Sequence, residues 1–147
     1  MELMNPTDKF DSVPVAALLL AAKRSAAQLV WGEDIARFNA LVRNLRGLGY
    51  RTTVNLSGEV FEDLDLRNFH FDGCDLSRSV FHRCDLRGVS FRHSFLNGAE
   101  FADCNFNGAS VDSAEMKSAI LRRCLLAEIE NFSDQQKLDV CPIEGAV

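Results

Sequence analysis

The sequence is short of long apolar runs. Its longest, Val13 to Ala22, stops at Lys23-Arg24 after ten residues, half of the ~20 a helix needs to cross a bilayer. A membrane span is therefore not expected, and no membrane partner is. The start is not basic either, because Glu2, Asp8 and Asp11 outnumber Lys9 ahead of that run, which argues against a secretory signal and for a cytoplasmic protein. None of the five cysteines sits in a Cys-x-x-Cys pair, and their number is odd, so neither a disulfide framework nor a zinc ribbon is indicated. Nothing resembles a phosphate loop, a nucleophile elbow or a pair of catalytic carboxylates. What remains is ordinary: 147 residues, 47% apolar and 25% charged, the composition of one globular domain.

The net charge of −5 is unevenly spread. Residues 1–53 carry 7 Lys/Arg against 5 Asp/Glu, residues 54–129 carry 8 against 12, and residues 130–147 carry 1 against 4. An acidic surface repels phosphates, so free nucleic acid is not the expected partner. The basic run Arg37, Arg43, Arg46 and Arg51 reads as a solvated helix face.

One feature decides the fold. Large apolar residues recur every five positions from Leu56 and Phe61 through Phe81, Phe91 and Phe101 to Leu121 and Leu126, fifteen in register. Two residues before each lies a second column, small from Cys74 onward: Cys74, Ser79, Cys84, Ser94, Ala99, Cys104, Ala109, Ala119 and Cys124 among them. A period of five fits neither a helix at 3.6 nor a strand at 2. Each pentad must be one side of a larger coil, and a square coil fits.

Segments such as Ala99-Glu100-Phe101-Ala102-Asp103 and Cys84-Asp85-Leu86-Arg87-Gly88 resemble the pentapeptide-repeat family over residues 54–129. The resemblance implies a mainly β protein: a right-handed quadrilateral β-helix, four pentads per coil and just under four coils. Glu59 departs from the small inward position, and Leu64 and Phe69 exceed it, so a distorted or capped first coil is expected. Stacked coils need closed ends, since each pairs only with its neighbours.

The rest of the chain suits that need. Residues 1–12 read as an arm and 13–53 as a two-helix cap. Helix one carries Leu18, Leu19, Ala22, Ala26, Leu29 and Val30 on one face; helix two opens at Glu33-Asp34 after Gly32, carries Ile35, Phe38, Val42 and Leu45, and stops at Gly47-Leu48-Gly49. Residues 130–147 read as a C-terminal cap and tail. There Leu125, Ile129 and Phe132 cover the last coil and Ser133 to Val140 forms a short helix before a loose end.

Chemistry is sparse. Cys84, Cys104 and Cys124 are spaced by twenty and form one vertical column, but at the inward position, where a thiol packs as a small apolar group. Cys74 does the same on another face; Cys141 in the tail is the one reactive candidate. His70, His82 and His93 never meet at metal spacing, so no metal, no cofactor and no catalytic residue is expected.

Residues twenty apart are vertical neighbours. Asp63, Arg83, Asp103 and Arg123 alternate in sign, as do Asp72, Arg92 and Asp112, the arrangement a ladder needs to avoid like-charge contacts. Asp65, Asp75 and Asp85 lack an opposite charge below them in their columns, which makes them the carboxylates assigned to a partner. Val60, Val80 and Ile120 form an outward apolar column interrupted by Glu100, and Phe95 projects from another face. Other parts of the chain cover such a column, or it serves a homodimer or partner.

The expected function is a non-enzymatic binding protein. Some members of the family protect DNA gyrase by resembling DNA, so the resemblance implies an inhibitor or protector that blocks the nucleic-acid site of a topoisomerase or of a bacterial or phage defence nuclease. Coils ~4.8 Å apart span only ~18 Å here, about half of a ~34 Å duplex turn, so the mimicry is partial. The alternative is an adaptor or delivered effector that holds a protein on the apolar patch.

Overall fold

The structure, a computed structural model, describes residues 28–49, 53–139 and 143–144. The arm, residues 13–27 of helix one, and Cys141 lie outside them. Helix α1 spans Gln28–Gly47, strands β1 to β4 span Val60–Glu62, Val80–His82, Glu100–Ala102 and Ile120–Arg122, helix α2 spans Asp134–Asp139, and β5 spans Ile143–Glu144.

The pentads build a β-helix solenoid. The five strands form one parallel sheet in the order β1-β2-β3-β4-β5, with Phe61 beside Phe81, Phe81 beside Phe101 and Phe101 beside Leu121. That register of twenty is four pentads, and it holds on the other sides too, where single bridges join Asp65 to Asp85, His70 to Ser90 and Asp75 to Phe95. Both sequence columns point inward, with the Leu/Phe column from Leu56 to Leu121 almost wholly buried. Phenylalanines stack along the axis: Phe61 on Phe81 at 4.4 Å and 5°, Phe81 on Phe101 at 4.7 Å and 12°.

A five-residue side closes only if the chain turns sharply. Every fifth residue from Gly58 to Arg123 has a positive φ, including Asp63 at 55°, Asn68 at 63° and Arg83 at 52°. Side chains in that left-handed region cost energy, and Gly, Asn and Asp cost least. At Gly88 the need is also steric, since a Cβ there would lie 2.6 Å from Asn68 Oδ1.

The helical cap differs from the sequence expectation. Gly32 does not divide two helices; α1 runs through it for twenty residues. One internal glycine costs about 1 kcal/mol, less than breaking the helix and recapping both ends. The stripe and the stop are as expected, with Phe38, Val42 and Leu45 buried and Gly49 at φ 86° donating its N–H to the Arg46 carbonyl. Phe38 packs on Phe69 and Phe71 at 5.3 and 5.5 Å, so the oversized Phe69 is part of the joint between helix and coil. Asn39 completes that joint: its Oδ1 accepts the His70 N–H at 2.8 Å and its Nδ2 donates to the Asn68 carbonyl at 3.0 Å. One coil higher, Ser90 N–H finds its acceptor in the coil beneath, the Phe69 carbonyl. For the His70 N–H, Asn39 therefore supplies the acceptor that a coil below would supply, which sets α1 at the end of the coil.

The other end is closed twice. Ser133 and Gln136 cap α2 reciprocally, Gln136 N–H to Ser133 Oγ at 3.2 Å and Ser133 N–H to Gln136 Oε1 at 2.8 Å. Gln136 Nε2 then donates to the Val111 and Ala114 carbonyls at 2.7 and 2.9 Å. Within the tail, expected to be a loose end, Ile143 and Glu144 pair with Leu121 and Arg122 as a fifth strand. Ile129 and Phe132 pack on the core as expected, but Leu125 faces outward, 44% exposed, and Leu126 takes the inward place. The pentad register continues there, so position 125 belongs to the outward set.

Candidate functional site

The outward residues fall into separate columns. Val60, Val80, Glu100 and Ile120 are neighbours on the face of β1 to β4. Asp65 and Asp85 share a second face with Asn105 and Leu125, while Asp75 and Phe95 share a third with Asn55 and Glu115. The structure thus brings Asp75 and Phe95 together and separates both from Asp65 and Asp85.

Asp65 and Asp85 are not the unpaired carboxylates their columns suggest. Arg67 grips Asp65 with Nε at 2.8 Å and Nη2 at 2.7 Å, and Arg87 grips Asp85 at 2.9 and 2.6 Å. The nearer partner lies two residues along the chain, and Asp85 also has Arg67 of the coil beneath at 3.7 Å. The twice-repeated Asp-Leu-Arg, Asp65-Leu66-Arg67 and Asp85-Leu86-Arg87, carries that signal. Each carboxylate also holds its own turn. Asp65, Asp75 and Asp85 accept the N–H of Arg67, Ser77 and Arg87, as Asn55 and Asn105 accept those of Ser57 and Asn107. An Asp or Asn before the inward Leu is what a side-chain-stabilised turn requires. Asp75 makes that bond and no ion pair among the described residues.

The alternating ladder forms in part. Arg83 grips Asp63 at 2.6 and 2.9 Å and reaches Glu62 at 3.0 Å; Arg123 grips Asp103 at 2.7 and 2.9 Å. His82 stands 3.6 Å from both Glu62 and Asp103. In the second column Arg92 turns to Asp112 at 3.4 Å, and Asp72 Oδ1 is left buried without a hydrogen-bond partner, contrary to the expected Asp72–Arg92 pair.

Guanidinium hydrogen bonds hold the carboxyls of Asp63, Asp65, Asp85 and Asp103 below their ordinary value of 3.8. Groups depressed in the folded state stabilise it above the unfolded value and stop doing so as pH falls through the lower folded value. Melting temperature should accordingly change little from pH 7 to 5 and drop below about pH 4. Exposed pairs contribute little because solvent screens them, so Asp63→Asn should shift the neutral-pH melt by a few degrees at most and shallow the acid limb. An unchanged acid limb would show that the ladder carries no stability.

The four thiols among the described residues are free and buried. Burial pushes Cys74 up to about 12, with Thr53 Oγ1 3.4 Å away. Cys84, Cys104 and Cys124 lie 3.2, 3.4 and 3.5 Å from the carbonyls of Phe61, Phe81 and Phe101. Among the described residues no group of His, Cys, Asp or Glu is arranged to hold a metal ion, and no helix is long and apolar enough to cross a membrane.

Beside this coil of twenty-residue register, with its buried Leu/Phe column and left-handed corners, the sequence of residues 55–131 matches the family model of the pentapeptide repeat region. The chain belongs to the pentapeptide repeat family. No curated protein matches it. Among solved structures it is similar to a pentapeptide repeat protein from the thylakoid lumen of Arabidopsis thaliana, at 22% identity and a TM-score of 0.53, over 69% of this chain and 64% of that one. HetL, a pentapeptide repeat protein involved in heterocyst differentiation regulation from the cyanobacterium Nostoc, is 20% identical with a TM-score of 0.39, over 64% of this chain and 44% of that one. QnrB1, a plasmid-mediated fluoroquinolone resistance protein, is 20% identical with a TM-score of 0.26, over 54% of this chain and 57% of that one. The chain thus spans less than two thirds of each, and the first likeness bears on the fold alone.

The residues missing from the sequence reading are Asn39 and Gln136. Asn39 is one amide within the twenty-residue α1 and Gln136 one within the six-residue α2, and only the coil ends beneath them give each a role.

Proposed function

We propose that this pentapeptide repeat protein is a non-enzymatic, cytoplasmic binding module. In this reading its coil is right-handed, has just under four turns, and holds a protein partner on the outer face of β1 to β4. One observation carries the proposal. Val60, Val80 and Ile120 stand in a single outward column on the side where the backbone forms continuous strands, with Val60 50% exposed. The polar groups of that face are already satisfied within the chain, Glu62 by Arg83 and Glu100 by Arg122 at 3.0 Å each. The complementary partner is therefore an apolar ridge, which gains by covering the column without having to replace charges.

A second reading is an inhibitor or protector that blocks the nucleic-acid site of a topoisomerase or defence nuclease by partial DNA mimicry. Asp75 favours it, since this carboxylate has no ion pair among the described residues. Against it, Asp65 and Asp85 are neutralised in place, and ~18 Å of duplex carries about 10 phosphates against a repeat with four excess acidic residues, 12 to 8.

The two readings differ in salt response and in the residue that matters. The full chain, immobilised, is used to capture its partner from bacterial lysate, and the purified partner is then titrated against variants. Val60→Glu with Val80→Glu should weaken binding by at least about 30-fold, the effect of losing a central apolar contact. Asp75→Asn, which keeps the turn bond, should change it less than about 3-fold, and binding should survive 0.5 M salt. Loss with Asp75→Asn and with salt, but not with the valine variants, would transfer the function to the mimicry reading.

A further inference from the structure

The two edges of the parallel sheet end differently. At one, Ile143 and Glu144 add a strand of non-pentad sequence beside Leu121 and Arg122. At the other, β1 has β2 on one side and no strand on the other among the described residues. Val80 N–H donates to the Glu59 carbonyl at 2.9 Å and Asp63 N–H to the His82 carbonyl at 3.0 Å. Residues 59, 61 and 63 thus turn their backbone groups to β2, and Val60 and Glu62 turn theirs away. Each of these two residues carries an N–H and a C=O with no hydrogen-bond partner among the described residues. Both residues are exposed, Val60 by 50%. Asn39 of α1 answers the open backbone of the same coil end at Asn68 and His70, not at β1.

Charge decides what can pair there. Arg83 is shared between Asp63, at 2.6 Å, and Glu62, at 3.0 Å. Glu59, half-buried, makes no ion pair among the described residues. Three carboxylates therefore stand against one guanidinium along this edge. A second copy of the edge would set like charges opposite one another and is repelled. An extended segment with basic side chains meets the opposite field. Its backbone takes the open groups of Val60 and Glu62, while a lysine or arginine stem lies along Val60 and its cation reaches Glu62.

We propose that the β1 edge is a second docking surface, which takes a basic extended peptide by strand addition. It adjoins the outer face of β1 to β4 at Val60 but binds through the backbone, not through the apolar column. The peptide lengthens the sheet at β1 as β5 lengthens it at β4.

The test is isothermal titration calorimetry of the full chain at neutral pH with an acetylated and amidated hexapeptide that alternates lysine and valine. Its binding should be saturable, and the same peptide with glutamate in place of lysine should give no heat. Amides of alternate residues face opposite edges of a strand, so methylating the valine nitrogens blocks one edge and methylating the lysine nitrogens blocks the other. One of these two peptides should bind at least about 10-fold more weakly than the other, because it cannot form the shared hydrogen bonds. Glu59→Gln and Glu62→Gln should each weaken the parent peptide about 3-fold, an effect that fades in about 0.5 M salt. Val60→Pro, a substitution an edge strand tolerates where the N–H has no ladder partner, should weaken it at least about 10-fold with an unchanged far-UV spectrum. Val80→Glu lies on the outer face away from the edge and should not weaken it. Equal binding of the two methylated peptides to the wild-type chain overturns the proposal, whether or not Val60→Pro folds. So does the absence of saturable heat. Loss with Val80→Glu but not with Val60→Pro overturns it too, by moving the peptide to the apolar face.

Discussion

Phe81→Asp should yield no soluble folded protein. Phe81 is fully buried at the centre of the aromatic column, stacked on Phe61 and Phe101 at 4.4 and 4.7 Å and met edge-on by Phe71 and Phe91 at 6.4 and 6.1 Å. Truncating a buried Phe costs about 3 to 5 kcal/mol, and an unpaired carboxylate in the same place adds several more or must take up a proton. A domain of ordinary stability holds only about 5 to 15 kcal/mol in total. The loss also spreads, because coils support one another only through nearest neighbours and a disrupted β2 breaks the sheet between β1 and β3. Phe81→Leu, which stays apolar at a smaller volume and matches the Leu of neighbouring pentads, should remain folded with a melt lowered by several degrees. Circular dichroism and melting of Phe81→Asp indistinguishable from wild type would show that the pentad register is wrong.

Why the core was legible and the surface less so follows from the same geometry. An inward residue has one environment, repeated every five positions, so Phe81 and Leu86 announce themselves in the sequence whatever surrounds them. An outward residue has two competing neighbours: the one twenty positions away on the ladder and the one two positions away across the turn. Asp63 takes the first, in Arg83; Asp65 takes the second, in Arg67. Column arithmetic registers only the first kind, and for that reason it left Asp65 and Asp85 looking unpaired and gave Asp72 a partner that Asp112 holds. The Asp-Leu-Arg spelling held the correction, since an Asp that caps its own turn places its carboxylate beside the residue two further on. Gly32 misled for a different reason. Glycine is a strong helix stop only where the chain must take a left-handed turn, as at Gly49, and inside α1 it is merely a weak helix former.

Deleting α1 with everything before it, so that the chain begins at Tyr50, should turn the remaining repeat into an aggregating fragment. Three exposures coincide at that end. Phe69 and Phe71 lose the Phe38 ring that covers them. His70 loses the acceptor for its N–H, and the Asn68 carbonyl loses its donor. The first coil then presents an open edge beside uncovered aromatics, the combination that templates strand addition between molecules. Asn39→Ala isolates the polar part: the helix still packs through Phe38, Val42 and Leu45, and only the two edge hydrogen bonds are lost. Their loss should cost about 1 to 3 kcal/mol, enough to lower the melt by several degrees while the chain stays in its wild-type oligomeric state. The ordering of the two variants separates the causes. If the deletion aggregates and Asn39→Ala is only less stable, apolar coverage keeps the molecules apart and the amide fixes the helix in register on the coil. If Asn39→Ala alone aggregates, edge pairing dominates. A deleted chain that sediments with the wild-type oligomeric state and melts at the wild-type temperature would show that α1 is a separate module resting on the coil and not its cap.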